Sequence, residues 1–177
     1  SAPFTNLAPG STHTFEVQAV NQWGVSGWSE VRSGTTLPPV MPAIPTWGTV
    51  NTMSQTQLDA YWNASANATG YNVKMDGTQI QTNIPYTSIP VTNLAPGSTH
   101  TFEVQGVNQY GVSAWSSQRS GTTQPIPIPT IASVSPQSDP ACLNLVINPS
   151  AGAVSYNVKH VGSQYTVNIA QTSFPWC

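Results

Sequence analysis

The amino-acid sequence predicts an all-β protein made of tandem antiparallel β-sandwiches. Three observations support this prediction: the chain repeats itself, apolar and polar residues alternate within short segments, and turn-forming residues separate those segments. No segment combines a sustained 3.6-residue apolar period with capping residues, as an amphipathic helix would. We therefore expect short strands throughout the chain.

The internal repeat sets the size of the structural unit. Residues 92–125 are a near copy of residues 5–38, so the displacement is 87 residues. A weaker echo relates residues 57–92 to residues 142–177 at a displacement of 85. The tetrapeptide Tyr-Asn-Val-Lys occurs in both stretches of that echo. The chain therefore contains about two periods of one unit of 85–87 residues.

Alternation places the strands within each unit. In one polar–apolar segment Leu58, Ala60 and Trp62 point to the same face, and in another Phe102 and Val104 do so. Turns are expected between the strands at Asp-Gly, Asn-Ile-Pro and Ala-Pro-Gly sequences. Short strands at this spacing indicate an antiparallel sandwich of two sheets.

The repeated motif also resembles a known family. The pattern L-x-P-G-x-x-(aromatic)-x-F-x-V-x-A-V-N, followed by G-x-S-x-W-S and Thr-Thr before proline, is similar to the second half of a fibronectin type III domain. Trp62 and Tyr71 stand where that family has its core tryptophan and tyrosine. The likeness covers essentially the whole chain and is fainter over residues 126–177, where Ile147 replaces the core tryptophan. It implies seven-stranded sandwiches of immunoglobulin-like architecture, as in tandem repeats of extracellular, for example bacterial, proteins.

The register of this resemblance divides the chain into three parts. We expect residues 1–38 to be the C-terminal half of a unit (the front half unit), residues 39–125 a complete unit (the middle unit), and residues 126–177 the N-terminal half of a further unit (the rear half unit). Prolines concentrate at both joints, which favours semi-rigid linkers. These prolines are Pro38, Pro39, Pro42 and Pro45 at the first joint and Pro125, Pro127 and Pro129 at the second.

Each half unit is expected to need a partner. Two strands with one uncovered apolar face are marginally stable at best in water. We therefore expect the half units to be completed by adjacent repeats or by other copies of the chain. Two arrangements are open: a stretch of a longer tandem array, or protomers that associate head to tail as an open filament.

Two histidines occupy one repeat position. The resemblance implies that His13 and His100 stand at the family's corner tyrosine, whose hydroxyl ties the sixth strand to the preceding loop. A neutral imidazole donates one hydrogen bond and accepts another, so the tie can persist in altered form. We expect a structural role for both, and solvent exposure for His160, which has no histidine counterpart in the middle unit.

The sequence contains no pattern typical of catalysis. No Cys–His, Ser–His–Asp or metal-ligand spacing brings three suitable side chains together. No pair of carboxylates is placed for glycosidase chemistry. We therefore expect no enzymatic activity, no cofactor and no metal.

The two cysteines, Cys142 and Cys177, both lie in the rear half unit. In the resembled fold Cys142 would begin the second strand and Cys177 would end the fifth, and these strands are antiparallel neighbours. The resemblance thus implies a disulfide bond worth about 3–4 kcal/mol in the chain-entropy treatment, and with it an oxidising, extracellular compartment. The alternatives are two unpaired thiols or a bond to a neighbouring copy.

Asn63 and Asn67 each begin an N-glycosylation sequon in the loop after the Trp62 strand. Such tripeptides also arise by chance in a chain rich in Asn, Ser and Thr. A glycan on either residue would lie at the surface and change solubility rather than chemistry.

Aromatic residues recur at two further repeat positions. They are Trp23 with Tyr110 and Trp28 with Trp115. In an exposed row they would stack on sugars, and domains resembling these often accompany secreted polysaccharide-degrading enzymes. The alternative is packing at the sandwich edge or the joint between units, with Arg32 and Arg119 stacked on them.

The composition restricts the partners. The 177 residues include four Lys+Arg and six Asp+Glu, so 6% are charged, where about 25% is usual. Four cations cannot neutralise a run of phosphates, which excludes nucleic acid. No apolar run approaches the roughly 18 residues of a membrane-spanning helix, so no membrane insertion is expected. A surface with so little charge repels its neighbours weakly and suits close association.

Together these observations predict a structural scaffold module of a secreted or cell-surface filament or tandem-repeat rod. The alternative is an adhesive or carbohydrate-binding accessory module of a secreted protein, with a surface polysaccharide as partner.

Overall fold

The computed structural model describes residues 3–159 and 166–176 of the chain. Within these residues every regular element is a β-strand, and all the strand pairs are antiparallel. The prediction of an all-β fold is therefore confirmed.

Four short strands form the front half unit. They are β1 (Thr12–Phe15), β2 (Val20–Asn21), β3 (Gly24–Val25) and β4 (Arg32–Thr35). Strand β1 pairs with β4, and β2 pairs with β3. The two pairs are separate two-stranded sheets, and no other strand of the described residues pairs with them.

The middle unit is a sandwich of two facing sheets. Its strands are β5 (Thr46–Thr52), β6 (Leu58–Asn63), β7 (Gly70–Met75), β8 (Thr78–Ile84), β9 (Ser88–Val91), β10 (Thr99–Asn108), β11 (Gly111–Val112) and β12 (Arg119–Thr122). One sheet has the order β5-β6-β9, and the other has the order β11-β10-β7-β8. Strand β12 pairs with the beginning of β10 and β11 with its end, so these two short strands follow the same edge as one interrupted strand.

The rear half unit repeats the first part of this arrangement. Its strands are β13 (Thr130–Pro136), β14 (Leu143–Asn148), β15 (Tyr156–Lys159), β16 (Thr166–Ile169) and β17 (Ser173–Trp176). The order β13-β14-β17 matches β5-β6-β9, and the pair β15–β16 matches β7–β8.

The core of the middle unit consists of the alternating residues of both sheets. Trp62 on β6 lies edge-on to Tyr71 on β7, with 5.6 Å between ring centroids, and Trp47 on β5 lies edge-on to Phe102 on β10 at 6.5 Å. Such edge-to-face pairs add roughly 0.5–1.5 kcal/mol to the burial of the rings. The buried core residues are Leu58, Ala60, Trp62, Tyr71, Val73, Ile89, Leu94, Phe102 and Val104.

The predicted Asp-Gly turn joins β7 to β8. Asp76 and Gly77 both adopt left-handed backbone angles, with φ of 50° and 78°. A two-residue hairpin loop needs positive φ at both central positions to match the twist of its strands, and Asp-Gly tolerates this best. The turn therefore fixes the register of β7 against β8 and places the Asp76 carboxylate at this end of the sheet.

We predict that Trp62→Ala lowers the free energy of unfolding of the middle unit by about 3–5 kcal/mol, because it leaves a cavity at the contact between the sheets. Urea unfolding followed by far-UV circular dichroism measures this loss. The control is Tyr86→Ala, since Tyr86 is 68% exposed and its loss should cost less than about 0.5 kcal/mol. Equal losses in the two variants would contradict this account of the core.

Candidate functional site

The repeat shows the same residues in two environments. In the middle unit Phe102 and Val104 are 0% exposed, whereas their copies Phe15 and Val17 in the front half unit are 36% and 71% exposed. The local structure is otherwise alike. Ser98 N donates to the Thr123 hydroxyl at 3.0 Å, and the equivalent Ser11 N donates to the Thr36 hydroxyl at 2.9 Å. The front half unit thus exposes an apolar face whose counterpart in the middle unit is buried.

The rear half unit carries the complementary opening. Ile147 and Tyr156 are buried, but Leu143 is 47% exposed where its counterpart Leu58 is fully buried. An open cleft of about 170 Å³ separates the two layers and is lined by Ile131, Leu145, Ile147, Tyr156 and Val158, among others. In the middle unit the corresponding space lies under β10. The two uncovered faces, one at the front and one at the rear, form the candidate functional site.

Hydrogen bonds hold the first linker against the middle unit. The Asn108 side-chain Nδ2 donates to Val40 O at 2.8 Å, and Ala43 N donates to Ala66 O at 2.9 Å. Pro42 is buried and lies over Gly106, where an added Cβ would be 3.0 Å from the Pro42 Cβ. The linker residues are therefore docked on the end of β10.

The second joint is held from the opposite end of the middle unit. Gln124 N donates to Ser54 O at 3.1 Å, and the Gln55 side chain donates to Ala151 O in the rear half unit at 2.9 Å. The turn between β5 and β6 therefore contacts both the chain leaving the middle unit and the rear half unit.

The recurring aromatic residues differ in exposure. The Lys74 ammonium lies 4.0 Å from the centroid of the half-buried Trp115 ring, a cation–π contact between β7 and the segment before β12. The sequence analysis considered Arg32 and Arg119, rather than a lysine, as the cations stacked on these rings. Trp23, Trp28 and Tyr110 are 84%, 64% and 43% exposed.

Among the residues that the structure describes, no three His, Cys, Asp or Glu side chains are grouped as metal ligands. No helix long and apolar enough to cross a membrane is found in the same part of the chain.

Comparison with protein families finds a similarity in the middle unit. The sequence model of the fibronectin type III domain matches residues 43–122, which include all strands from β5 to β12. This part of the chain is therefore similar to a fibronectin type III domain.

Similar proteins come from different organisms. Fibronectin type III domain containing protein 3C1 of Mus musculus is 28% identical over 130 residues, which are 68% of this chain and 10% of that protein. The chain therefore spans about a tenth of the length of this curated relative. An Fn3-like protein from Clostridium thermocellum is 28% identical, with 50% of this chain and 98% of that chain covered and a TM-score of 0.42. The crystal structure of FN3tt is 24% identical, with 49% and 98% covered and a TM-score of 0.44.

Within the middle unit His100 connects two turns. Its Nδ1 lies 2.7 Å from Asp76 Oδ2, and its Nε2 lies 2.8 Å from the Ser98 hydroxyl, which donates to Ala95 O in the preceding loop. The relay through Ser98 links β10 to the loop before it. His13 makes the same contact with Ser11, at 2.6 Å.

The sequence alone did not indicate the contact between His100 and Asp76. The two residues are far apart in the chain, and the pairing of β7 with β10 brings them together. The Asp76 carboxylate also accepts a hydrogen bond from Thr101 N at 2.8 Å. This backbone N–H, followed by the hydrogen bond with His100, lowers the pKa of Asp76 from its ordinary value of 3.8.

The cysteines and sequons are placed as follows. Cys142 is buried just before β14, while Cys177 and His160 lie outside the described residues. The register pairs Leu143 with Trp176, as the predicted bridge between Cys142 and Cys177 requires, and the bridge stays a prediction. Asn63 ends β6 and donates to the Thr46 hydroxyl at 3.0 Å. Asn67 is exposed in the following loop with a φ of 62°.

We predict that the middle unit loses stability in acid because Asp76 becomes protonated. Because its folded-state pKa is lowered, ionised Asp76 stabilises the fold above its ordinary pKa, and this contribution is lost as the pH falls through the folded-state pKa. Asp76→Asn keeps an acceptor for Thr101 N and removes the charge. The difference in unfolding free energy between wild type and Asp76→Asn should be largest near about pH 6 and shrink towards about pH 2. Urea unfolding across this range measures it, and a difference independent of pH would contradict the assignment.

Proposed function

We propose that this chain is a structural scaffold module of a secreted or cell-surface rod or filament. Its units are residues 1–38, 39–125 and 126–177, and neighbouring repeats or protomers complete the two half units. The observation that carries the proposal is that hydrogen bonds hold a joint at each end of the middle unit, at Val40 and Ala43 on one side and at Ala151 on the other.

Docked linkers favour a rod over a flexible tether. Free linkers sample many conformations, and each residue fixed in one conformation costs roughly 1–2 kcal/mol of backbone entropy. Here the prolines reduce that cost, and the bonds from Asn108 and Gln55 add enthalpy to the ordered state. The orientation of each unit relative to the next is then restricted.

The chemistry of the repeated side chains supports a structural role. His100 is engaged by Asp76 and Ser98, and Trp115 is covered by Lys74. These groups connect strands within the domain, so the proposal assigns them no catalytic step. An extracellular location fits the predicted disulfide bond and the two sequons.

Exposed aromatic rings favour a second candidate function. Trp23 and Trp28 present large apolar surfaces to solvent, and flat exposed rings suit stacking on sugars. The chain would then be an adhesive or carbohydrate-binding accessory module whose partner is a surface polysaccharide.

Sedimentation with insoluble polysaccharides separates the two candidates. For a scaffold, we expect the wild-type chain to stay in the supernatant. Retention with the pellet that is lost in Trp28→Ala but kept in Leu37→Ala would favour the carbohydrate-binding function. Leu37 is the control because it is 86% exposed in the same half unit.

We predict that Asn108→Asp loosens the first joint. The aspartate keeps the acceptor oxygen that binds Tyr110 N at 2.9 Å and loses the amide that donates to Val40 O. Small-angle scattering should show a wider spread of overall dimensions, because the linker is released. The control is Asn21→Asp, since Asn21 accepts the same turn hydrogen bond from Trp23 N at 2.8 Å in the front half unit. Identical scattering from both variants would contradict a stiff joint.

A further inference from the structure

We propose that strand β8 of the middle unit is an interaction surface for β8 of a second copy of this chain. The two strands would pair antiparallel about Ile80, through residues 78–82, and join the sheets of two middle units into one continuous sheet. These residues lie inside the middle unit, so the proposal is independent of the two half units. It goes beyond the proposed scaffold function, since it adds a lateral contact between units to the connection along the chain.

One side of the sandwich is closed by hydrogen bonds between its two sheets. The Thr52 hydroxyl on β5 donates to Thr122 O on β12 at 2.6 Å. Trp47 Nε1 on β5 donates to Ser117 O, in the segment before β12, at 2.7 Å. A strand from another molecule would have to displace these contacts in order to pair on this side.

The opposite side of the sandwich has two edge strands, β9 and β8. Among the described residues β9 pairs only with β6, and β8 pairs only with β7. Strand β9 has four residues, and one of them is Pro90, which has no N–H to donate to a partner strand. Strand β8 has seven residues and contains neither a proline nor a charged residue. Because proteins protect edge strands with lysine, proline or short length, β8 is the more open of the two edges.

The pairing of β8 with β7 is irregular at the centre of β8. In the register of the two strands Gln79 and Gln81 have successive partners on β7, and Ile80 between them has none. An extra residue of this kind is left out of the ladder and bends the strand. Such bends keep edge strands from making long contacts, so we restrict the proposed pairing to residues 78–82.

The sequence of this segment favours a second copy as the occupant. Residues 78–82 read Thr-Gln-Ile-Gln-Thr, which is the same in both directions. In antiparallel pairing about Ile80 every residue would lie opposite its own kind, threonine with threonine, glutamine with glutamine and isoleucine with isoleucine. Threonine pairs across strands and stacked glutamine amides are both stabilising, through their hydrogen bonds. An unrelated peptide would match this pattern only by chance.

Burial of Ile80 would increase in the pair. Its side chain is half-buried and packs against the core of the middle unit. Contact with Ile80 of the second copy would remove further apolar area from water, at about 25 cal/mol per Å². The apolar layer of one unit would then continue into the next.

No like charges would face each other across the pair. Asp76, two residues before the segment, would lie opposite Ile84 of the second copy in this register, and its carboxylate accepts the hydrogen bond from Thr101 N. Lys74 is on the neighbouring strand β7, where its ammonium lies over Trp115. Like charges placed directly opposite destabilise strand pairs, and this register avoids them.

Sedimentation velocity of the full chain over a concentration series tests the proposal. We expect wild type to associate, and the double variant Gln79→Lys/Gln81→Lys to raise the dissociation constant at least tenfold, because each lysine would lie opposite a lysine of the second copy. The control is Tyr86→Lys/Thr87→Lys, which adds the same charge at exposed residues outside β8 and should associate as wild type does. Far-UV circular dichroism verifies that both variants are folded.

Opposite charges test whether β8 pairs with β8. The variant Gln79→Glu/Gln81→Glu should also associate weakly alone. Its equimolar mixture with the double lysine variant should associate at least as strongly as wild type, because every glutamate then lies opposite a lysine. A mixture no stronger than either variant alone would overturn the pairing.

Cysteine substitutions test the register. In pairing about Ile80, residue 79 of one copy lies opposite residue 81 of the other, with about 4.5–5.5 Å between Cα atoms, which a disulfide bond spans. A mixture of Gln79→Cys and Gln81→Cys should form a cross-linked dimer under mild oxidation, seen on a denaturing gel without reductant. Each variant alone should form about tenfold less. Equal cross-linking in the three samples would overturn the register.

A wild-type chain that stays monomeric at every concentration would overturn the proposal, and so would equal association of wild type and the double lysine variant. The proposed scaffold function fails on different measurements, namely polysaccharide retention or unchanged scattering of Asn108→Asp. A chain that associates through another surface would therefore refute β8 pairing and leave the scaffold function standing.

Discussion

The edge-on contact between Trp62 and Tyr71 joins the two sheets of the middle unit, and water is excluded from the space around it. The other features of the domain depend on this closure. While the sheets are closed, β7 and β10 stay in register, so His100 reaches Asp76 and Lys74 reaches Trp115. The half units contain the same strands without closure. In the half units the equivalent valine Val17 is exposed and a cleft of about 170 Å³ is open between the strands.

The scarcity of charge has a structural pattern. The four cations occupy only two repeat positions, Lys74 with Lys159 and Arg32 with Arg119. Lys74 has an aromatic partner, so its charge contributes to packing. Arg32 forms an ion pair with Glu30 in which both side chains are more than 80% exposed, and such a pair contributes little to stability. Apart from the bonds of the Asp76 carboxylate and the contact of Lys74 with Trp115, the described interactions are apolar burial and neutral hydrogen bonds, which depend weakly on salt.

The sequence was sufficient for the fold and partly sufficient for the site. Alternation is a local property, so the burial of Leu58, Ala60 and Trp62 could be predicted directly. The contact between His100 and Asp76 could not, since it depends on strand register between residues 24 positions apart in the chain. The cation over Trp115 was missed for the same reason. The local sequence also could not predict whether a repeated apolar residue is buried, because Val17 and Val104 occupy the same repeat position and have opposite exposure.

The close approach of the first linker to Gly106 bears on how the chain avoids folding incorrectly. Residues 5–38 and 92–125 are near copies, so either could in principle supply the last strands of the middle sandwich. The front copy has Ala19 where the middle unit has Gly106, and a methyl carbon there would lie 3.0 Å from Pro42 Cβ and 3.1 Å from Ala43 O. The front copy could therefore take this place only if the linker shifted away from the added methyl group. The near copies are therefore not equivalent at the position where the linker contacts β10.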